Sequence, residues 1–172
     1  AHRTAIKVAE AKQALADGCQ ELDMVLNIGK MIHGDYDYVQ NEIHQIVEAA
    51  HAAGAIVKVI LETCYLTDEQ KVKACQLSEA AGADFVKTST GYGSKGCTIE
   101  DLKLMRASVS DHVRVKGSGG IRDLDTVLSA RAVGASRCGV SATAAIMAEA
   151  EKRYADGTLE EVTDLKEMQG GY

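Results

Sequence analysis

AAGADFVKTSTGYGSKGCT, residues 80–98, compresses a helix end, a strand and a loop into one short run. Gly82 is a helix stop, because glycine takes the left-handed C-cap conformation without a Cβ clash. The apolar run around Phe85 and Val86 reads as a strand and carries Lys87 near its end. A glycine-rich loop follows, and Thr98 is the natural N-cap of the next helix, with Asp101 at the capping-box position. The same order of events recurs along the chain. ADGCQELDMVLNI, AAGAIVKVILE and AVGASRCGV each pass from a glycine (Gly18, Gly54, Gly134) into a β-run, and VRVKGS supplies a fifth strand without a glycine cap. Helices are expected at roughly 3–17, 36–53, 68–81, 98–108, 123–133 and 142–155, with a short polar helix near 158–168. Strands alternating with helices of this length predict an α/β fold of parallel strands joined by right-handed crossovers.

Strand parity refines this. A parallel strand buried on both faces is nearly all apolar, yet these strands alternate. Leu22, Met24 and Leu26 oppose Asp23 and Asn27; Val57, Val59 and Leu61 oppose Lys58, Ile60 and Glu62; Val113 and Val115 oppose Arg114, Lys116 and Ser118. One face suits a layer of helices. The other gathers Asp23, Lys58, Lys87 and Lys116 into a polar lining, where buried charge is costly unless paired or functional. Lys58 and Arg114, near strand starts, read as structural ion pairs. Lys87 and Lys116 lie nearer the strand ends, where α/β folds bind ligands, and read as functional.

Two mechanisms compete for residues 87–96. Gly91, Gly93 and Gly96 have the G-x-G-x-x-G spacing of a dinucleotide loop. That fingerprint needs its glycines in the tight turn between strand and helix, and an acid at the end of the next strand. Here Thr88, Ser89 and Thr90 intervene, and the next strand ends in Lys116-Gly117. The alternative makes Lys87 a Schiff-base amine, with the glycines shaping the turn. An ammonium cannot attack a carbonyl, and both desolvation and a neighbouring cation favour the neutral amine. Lys116, one strand away, supplies that cation, and Asp23 opposite Lys116 keeps the latter charged and moves protons. A second glycine site, Gly119-Gly120-Ile121-Arg122-Asp123, opens a helix, as do Ser141 and Thr143 after the last strand. Helix N-termini reached through glycine attract anions. In (β/α)8 barrels the phosphate commonly sits between the loops after strands 7 and 8, which makes the five strands here numbers 4–8.

Composition bounds the function classes. The 172 residues are 46% hydrophobic and 26% charged, as in one globular domain, here spanning 1–172 with 156–172 as a C-terminal tail. A net charge of −6 argues against a nucleic-acid groove, and no apolar run approaches a membrane span. The expected location is cytoplasmic. Five cysteines without a C-x-x-C pair fit reduced thiols, mostly buried and inert, and the histidine spacing suggests no metal site. The chain contains no proline and reads as helix from its first residues.

ELDMVLNIG, VKVILETCYLTDEQK, ADFVKTSTGYG, VKGSGGIRD and SRCGVS, in order from about residue 4 to 145, closely resemble the deoxyribose-phosphate aldolase family. The resemblance implies a TIM barrel and reversible cleavage of 2-deoxy-D-ribose 5-phosphate to D-glyceraldehyde 3-phosphate and acetaldehyde, with no metal or organic cofactor. It implies Lys87 as the Schiff-base lysine, Lys116 as the second lysine and Asp23 as its acid partner. Gly119, Gly120, Arg122, Ser141 and Thr90 match the phosphate-binding region, and Tyr172 matches a tail tyrosine that helps move a proton. A homodimer is usual for the family. Ala142 replaces a second serine of many relatives, and Tyr92 stands where some place Lys or Phe. The family's first three strands have no counterpart, so a partial barrel is expected. Two other readings stay open: a catalytically impaired remnant that binds sugar phosphates or assembles with another chain, and a class I aldolase for another substrate.

Overall fold

The computed structural model describes residues 2–160 and 162–168. Its elements run α1 (Thr4–Ala16), β1 (Glu21–Val25), α2 (Ile28–Ile32), α3 (Tyr36–Ala52), β2 (Ile56–Ile60), α4 (Asp68–Ala80), β3 (Phe85–Lys87), α5 (Ile99–Ala107), β4 (Arg114–Ser118), α6 (Leu124–Ala132), β5 (Ala135–Gly139) and α7 (Thr143–Ala155). The five strands pair in parallel in the order β1-β2-β3-β4-β5. A doubly wound sheet reverses its order at a switch point; this one does not. The sheet also curls. Arg137 on β5 makes two bonds to the Glu21 carboxylate on β1, at 2.5 and 3.1 Å, although β1 and β5 are the outermost strands. The fold is therefore an arc of a (β/α)8 barrel, matching the expected partial barrel with its five strands at positions 4–8.

Alternation divides the strands as read. Leu22, Met24, Val57, Val59, Val86 and Val115 are buried in one core with Ile43, Ile46 and Val47 of α3, Leu77 of α4, Leu102 and Met105 of α5 and Ala130 of α6. Each fully buried side chain of this size stabilises by about 1.5–3 kcal/mol. Gly18, Gly54, Gly82 and Gly134 all have positive φ, at 95°, 73°, 88° and 101°, which is why each helix can turn so abruptly into the following strand. Burial pushes the Cys75 and Cys97 thiols up to about 12, and all five cysteines are free.

Several local expectations differ. Asn27 lies beyond β1 and caps α2, its side chain accepting from the Lys30 N–H at 3.2 Å; this five-residue helix and the 3-10 turn Thr63–Tyr65 have no counterpart among the expected elements. Thr98 does cap α5, but Asp101 does not complete a capping box, because its carboxylate pairs with Lys71 at 2.7 Å. Residues 158–160 and 162–168 form no helix. Gly157 (φ 68°) ends α7, and the tail is held against α6, where the Lys166 N–H donates to Ser129 Oγ at 2.9 Å and Lys166 Nζ pairs with Asp125. No helix among the described residues is long and apolar enough to cross a membrane.

Candidate active site

The polar face of the arc is one connected charge network. Register sets Asp23 beside Lys58 and Lys87 beside Lys116. A single carboxylate then meets three amines: Asp23 Oδ1 accepts from Lys58 Nζ at 2.8 Å, Oδ2 accepts from Lys87 Nζ at 2.6 Å, and Lys116 Nζ lies 3.8 Å from Oδ2. Lys58 also bonds Glu21 at 2.8 Å, so the network runs from Arg137 through Glu21, Lys58 and Asp23 to the two remaining lysines. Lys58 is thus the structural ion pair expected. Arg114 stacks instead on Phe85, its guanidinium carbon 4.1 Å from the ring centroid, with Arg137 at 4.9 Å.

The electrostatics differ from the reading in one respect. Asp23 was expected to hold Lys116 charged. It is Lys58 and Lys87 that bond it; these bonds outweigh the opposing effect of burial and hold the Asp23 carboxyl below the usual carboxylate range. Against burial, the hydrogen bonds to Asp23 and then Glu21 hold Lys58 above the ordinary lysine range. Lys116 is pushed down, by burial first and by the Lys87 charge second, with Asp23 only partly offsetting them. The reason is distance: Asp23 Oδ2 stands more than an ångström nearer Lys87 than Lys116.

Lys87 and Lys116 open into a cavity of about 460 Å³ walled by Thr90, Gly91, Ser118, Gly119, Gly120, Ile121, Arg122, Gly139, Val140 and Ser141. Gly119 and Gly120 have φ of 87° and 82°, a conformation that residues with a Cβ rarely adopt, so main chain without side chains forms this wall. α6 closes its own N-terminus through Asp123 and Thr126. α7 does not: Ala142 offers no side-chain cap, and its first turn has no acid. The anion-attracting end of α7 thus meets the cavity at Ser141. A larger cavity of about 670 Å³ lies between the starts of α4 and α5 and is lined by neither Lys87 nor Lys116. Among the described residues no His, Cys, Asp and Glu side chains gather as a metal site.

The loop after Lys87 explains its glycines. Ser118 Oγ donates to Ser89 O at 3.0 Å, and the Cys97 N–H reaches Ser118 O and Gly119 O at 3.0 and 3.1 Å. A Cβ on Gly96 would lie 2.4–2.7 Å from Gly119 main-chain atoms; one on Gly93 would meet Cys64 Sγ at 2.8 Å and Glu62 Oε1 at 3.0 Å. These glycines allow close packing, and α5 begins only at Ile99, so the dinucleotide geometry is absent. Thr90 lines the cavity, and there its N–H donates to Glu62 at 3.1 Å and its hydroxyl to the same carboxylate. Tyr172 lies outside the described residues.

Residues 1–148 match the model of the DeoC/LacD family aldolases. The chain belongs to this family. It is 55% identical over 152 residues to a deoxyribose-phosphate aldolase of Rhodopirellula baltica, covering 88% of this chain and 63% of that protein. A Thermococcus gammatolerans protein of the same name is 56% identical over 138 residues, covering 80% and 61%. Among solved structures, "QR15, an Aldolase" aligns with a TM-score of 0.84 at 42% identity, over 92% of this chain and 70% of that one. The deoxyribose phosphate aldolase from Aeropyrum pernix, described as a unique tetramer, gives 0.79 at 32%, over 87% and 63%. The chain spans less than two thirds of the length of the two curated relatives.

Within this family arc, sequence reasoning missed Glu21, Arg137, Gly139 and the placement of Glu62. Gly139 leaves room for a neighbour: a Cβ there would stand 2.8 Å from Ser118 Cβ and 3.7 Å from Lys116 Cε. A register shift between Val115 and Lys116 brings Arg137 opposite Lys116, a re-aiming characteristic of β-bulges beside functional sites. None of these had a sequence signal beyond alternation.

Proposed function

We propose that this chain carries the catalytic arc of a class I aldolase that reversibly cleaves 2-deoxy-D-ribose 5-phosphate to D-glyceraldehyde 3-phosphate and acetaldehyde. One observation carries the reading: Lys87 and Lys116 lie about a single Asp23 oxygen and open into a cavity whose far wall is the Gly119-Gly120 turn and Ser141. Neutral Lys87 attacks the C1 aldehyde, and loss of water gives the iminium. The C3 hydroxyl then loses its proton while the C2–C3 electrons flow into the iminium, releasing D-glyceraldehyde 3-phosphate and leaving an enamine. Protonation at C2 and hydrolysis return acetaldehyde and the lysine. Asp23 accepts and returns protons, since it already accepts a hydrogen bond from Lys87 Nζ. Lys116, held below the ordinary lysine range, exchanges a proton more readily than a solvated lysine and repels charge on Lys87. Gly119, Gly120, Arg122 and Ser141 receive the phosphate with the uncapped end of α7, and Thr90 shapes the wall.

The test compares turnover of 2-deoxy-D-ribose 5-phosphate with that of ketose phosphates, in the 172-residue chain and in Lys87→Ala. The reading expects preference for the deoxy sugar and loss of turnover in the variant. Activity of Lys87→Ala within tenfold of the unsubstituted chain excludes the Schiff-base assignment. Phosphate-ester binding without any turnover would favour the non-catalytic sugar-phosphate binder.

A further inference from the structure

Glu62 follows β2 at the rim of the arc, and its backbone is unusual. Its φ of 54° is the one positive value at a non-glycine position among the described residues, and the residue is 3% exposed. A strained, buried acid persists only where its surroundings over-determine it, and such outliers cluster at functional sites. Its carboxylate accepts from the Thr90 N–H and from the Thr90 hydroxyl, whose oxygen in turn accepts from the Tyr92 N–H at 3.0 Å. Gly93 must lack a side chain because Glu62 and Cys64 fill that space. On its other side the same loop is fastened to β4 through Thr88, Ser89 and Cys97. Glu62 is the corresponding anchor from the β2 side.

We propose that Glu62 is a positioning residue for phosphate-ester recognition: its side chain holds Thr90, which with Gly91 walls the cavity between Lys87 and the Gly119-Gly120 turn. The inference rests on the aldolase reading, because that cavity is taken to receive the substrate phosphate. Glu62 occupies both Thr90 donors, so it acts through the shape of the wall. Loss of its charge-accepting bonds frees the loop segment 90–93 while leaving Lys87, bonded to Asp23, in place.

Two measurements test this on the full chain. With Glu62→Ala, KM for 2-deoxy-D-ribose 5-phosphate rises about tenfold or more, the scale set by losing hydrogen bonds to a charged group. kcat/KM for unphosphorylated 2-deoxy-D-ribose changes less than about threefold, and Glu62→Gln, which can still accept from the Thr90 N–H, recovers part of the loss. Equal losses on both substrates, or unchanged KM, overturn the proposal. A lowered KM also overturns it, since the carboxylate would then be competing with the phosphate for Thr90. Amide hydrogen exchange needs no turnover: Glu62→Ala loses protection at residues 90–93 and keeps it at Gly117–Gly119. Unchanged exchange at 90–93 overturns the proposal whatever the kinetics. Glu62→Gly removes the left-handed strain along with the carboxylate, so it separates folding from positioning: it is expected to stay folded and still show the raised KM. Failure of the unsubstituted chain to turn over either sugar would instead refute the aldolase reading, and exchange alone would then judge Glu62.

Discussion

Replacing Lys116 with Met removes one cation from the lysine pair and nearly preserves its volume. Both nitrogens lie on one Asp23 oxygen, so they sit within about 6.4 Å of one another, the 2.6 and 3.8 Å legs laid end to end. Two unit charges roughly 6 Å apart repel by about 2.8 kcal/mol at an effective dielectric of about 20. Asp23 stands beside both amines and the Lys116 side chain is 18% exposed, which together reduce the effect to about half. About 1.4 kcal/mol corresponds to about tenfold in an equilibrium. The Lys116 charge disfavours further charge beside it, and the neutral amine of Lys87 is the reactive form. Removing Lys116 therefore slows formation of the acetaldehyde adduct on Lys87 at neutral pH, trapped by cyanoborohydride, by about tenfold. Lys116→Arg keeps a cation and leaves the rate near its original value. An unchanged or faster rate in Lys116→Met would refute the claim that the two amines share one electrostatic environment.

Two further outcomes follow from contacts elsewhere. Gly96→Ala forces a Cβ into the Gly119 main chain and is expected to destabilise by about 1–3 kcal/mol in urea unfolding; unchanged stability would show that the loop can separate from β4 freely. Glu21 has its carboxyl lowered from 4.5 to about 2, chiefly by its hydrogen bond with Arg137 and then by that with Lys58. Because the folded value is the lower one, the stability from this group is fully present above about pH 4.5 and is lost as the pH falls toward 2. The difference in urea midpoint between the unsubstituted chain and Glu21→Gln should shrink over that window. A constant difference would mean that the arc does not depend on this ion pair.

Much of this arrangement was legible from alternation, although Phe85 and Ile60 interrupt the polar face with buried apolar side chains. Lys87 could be placed on the polar face because Val86 beside it is a core residue, and Lys116 because Val115 is. Parity could not tell which lysine Asp23 bonds, since that depends on barrel curvature and side-chain length as well as on register. Thr90 was legible as a cavity residue, yet its donors face a carboxylate reached only through a left-handed residue at Glu62, and glutamate carries no signal for that conformation. Residues 158–168 were expected as a short polar helix. The tail's bonds to Ser129 and Asp125 are tertiary, and they outweigh weak local propensity. Arg137 and Glu21 lie at opposite ends of the sheet order, so their pairing appears only once the sheet curls.

Borohydride reduction in the presence of acetaldehyde, followed by peptide mapping, tests the central claim most directly. The account predicts a single ethyl group on Lys87, absent from Lys87→Ala. No adduct, or an adduct on Lys116 or Lys58 in its place, would contradict it.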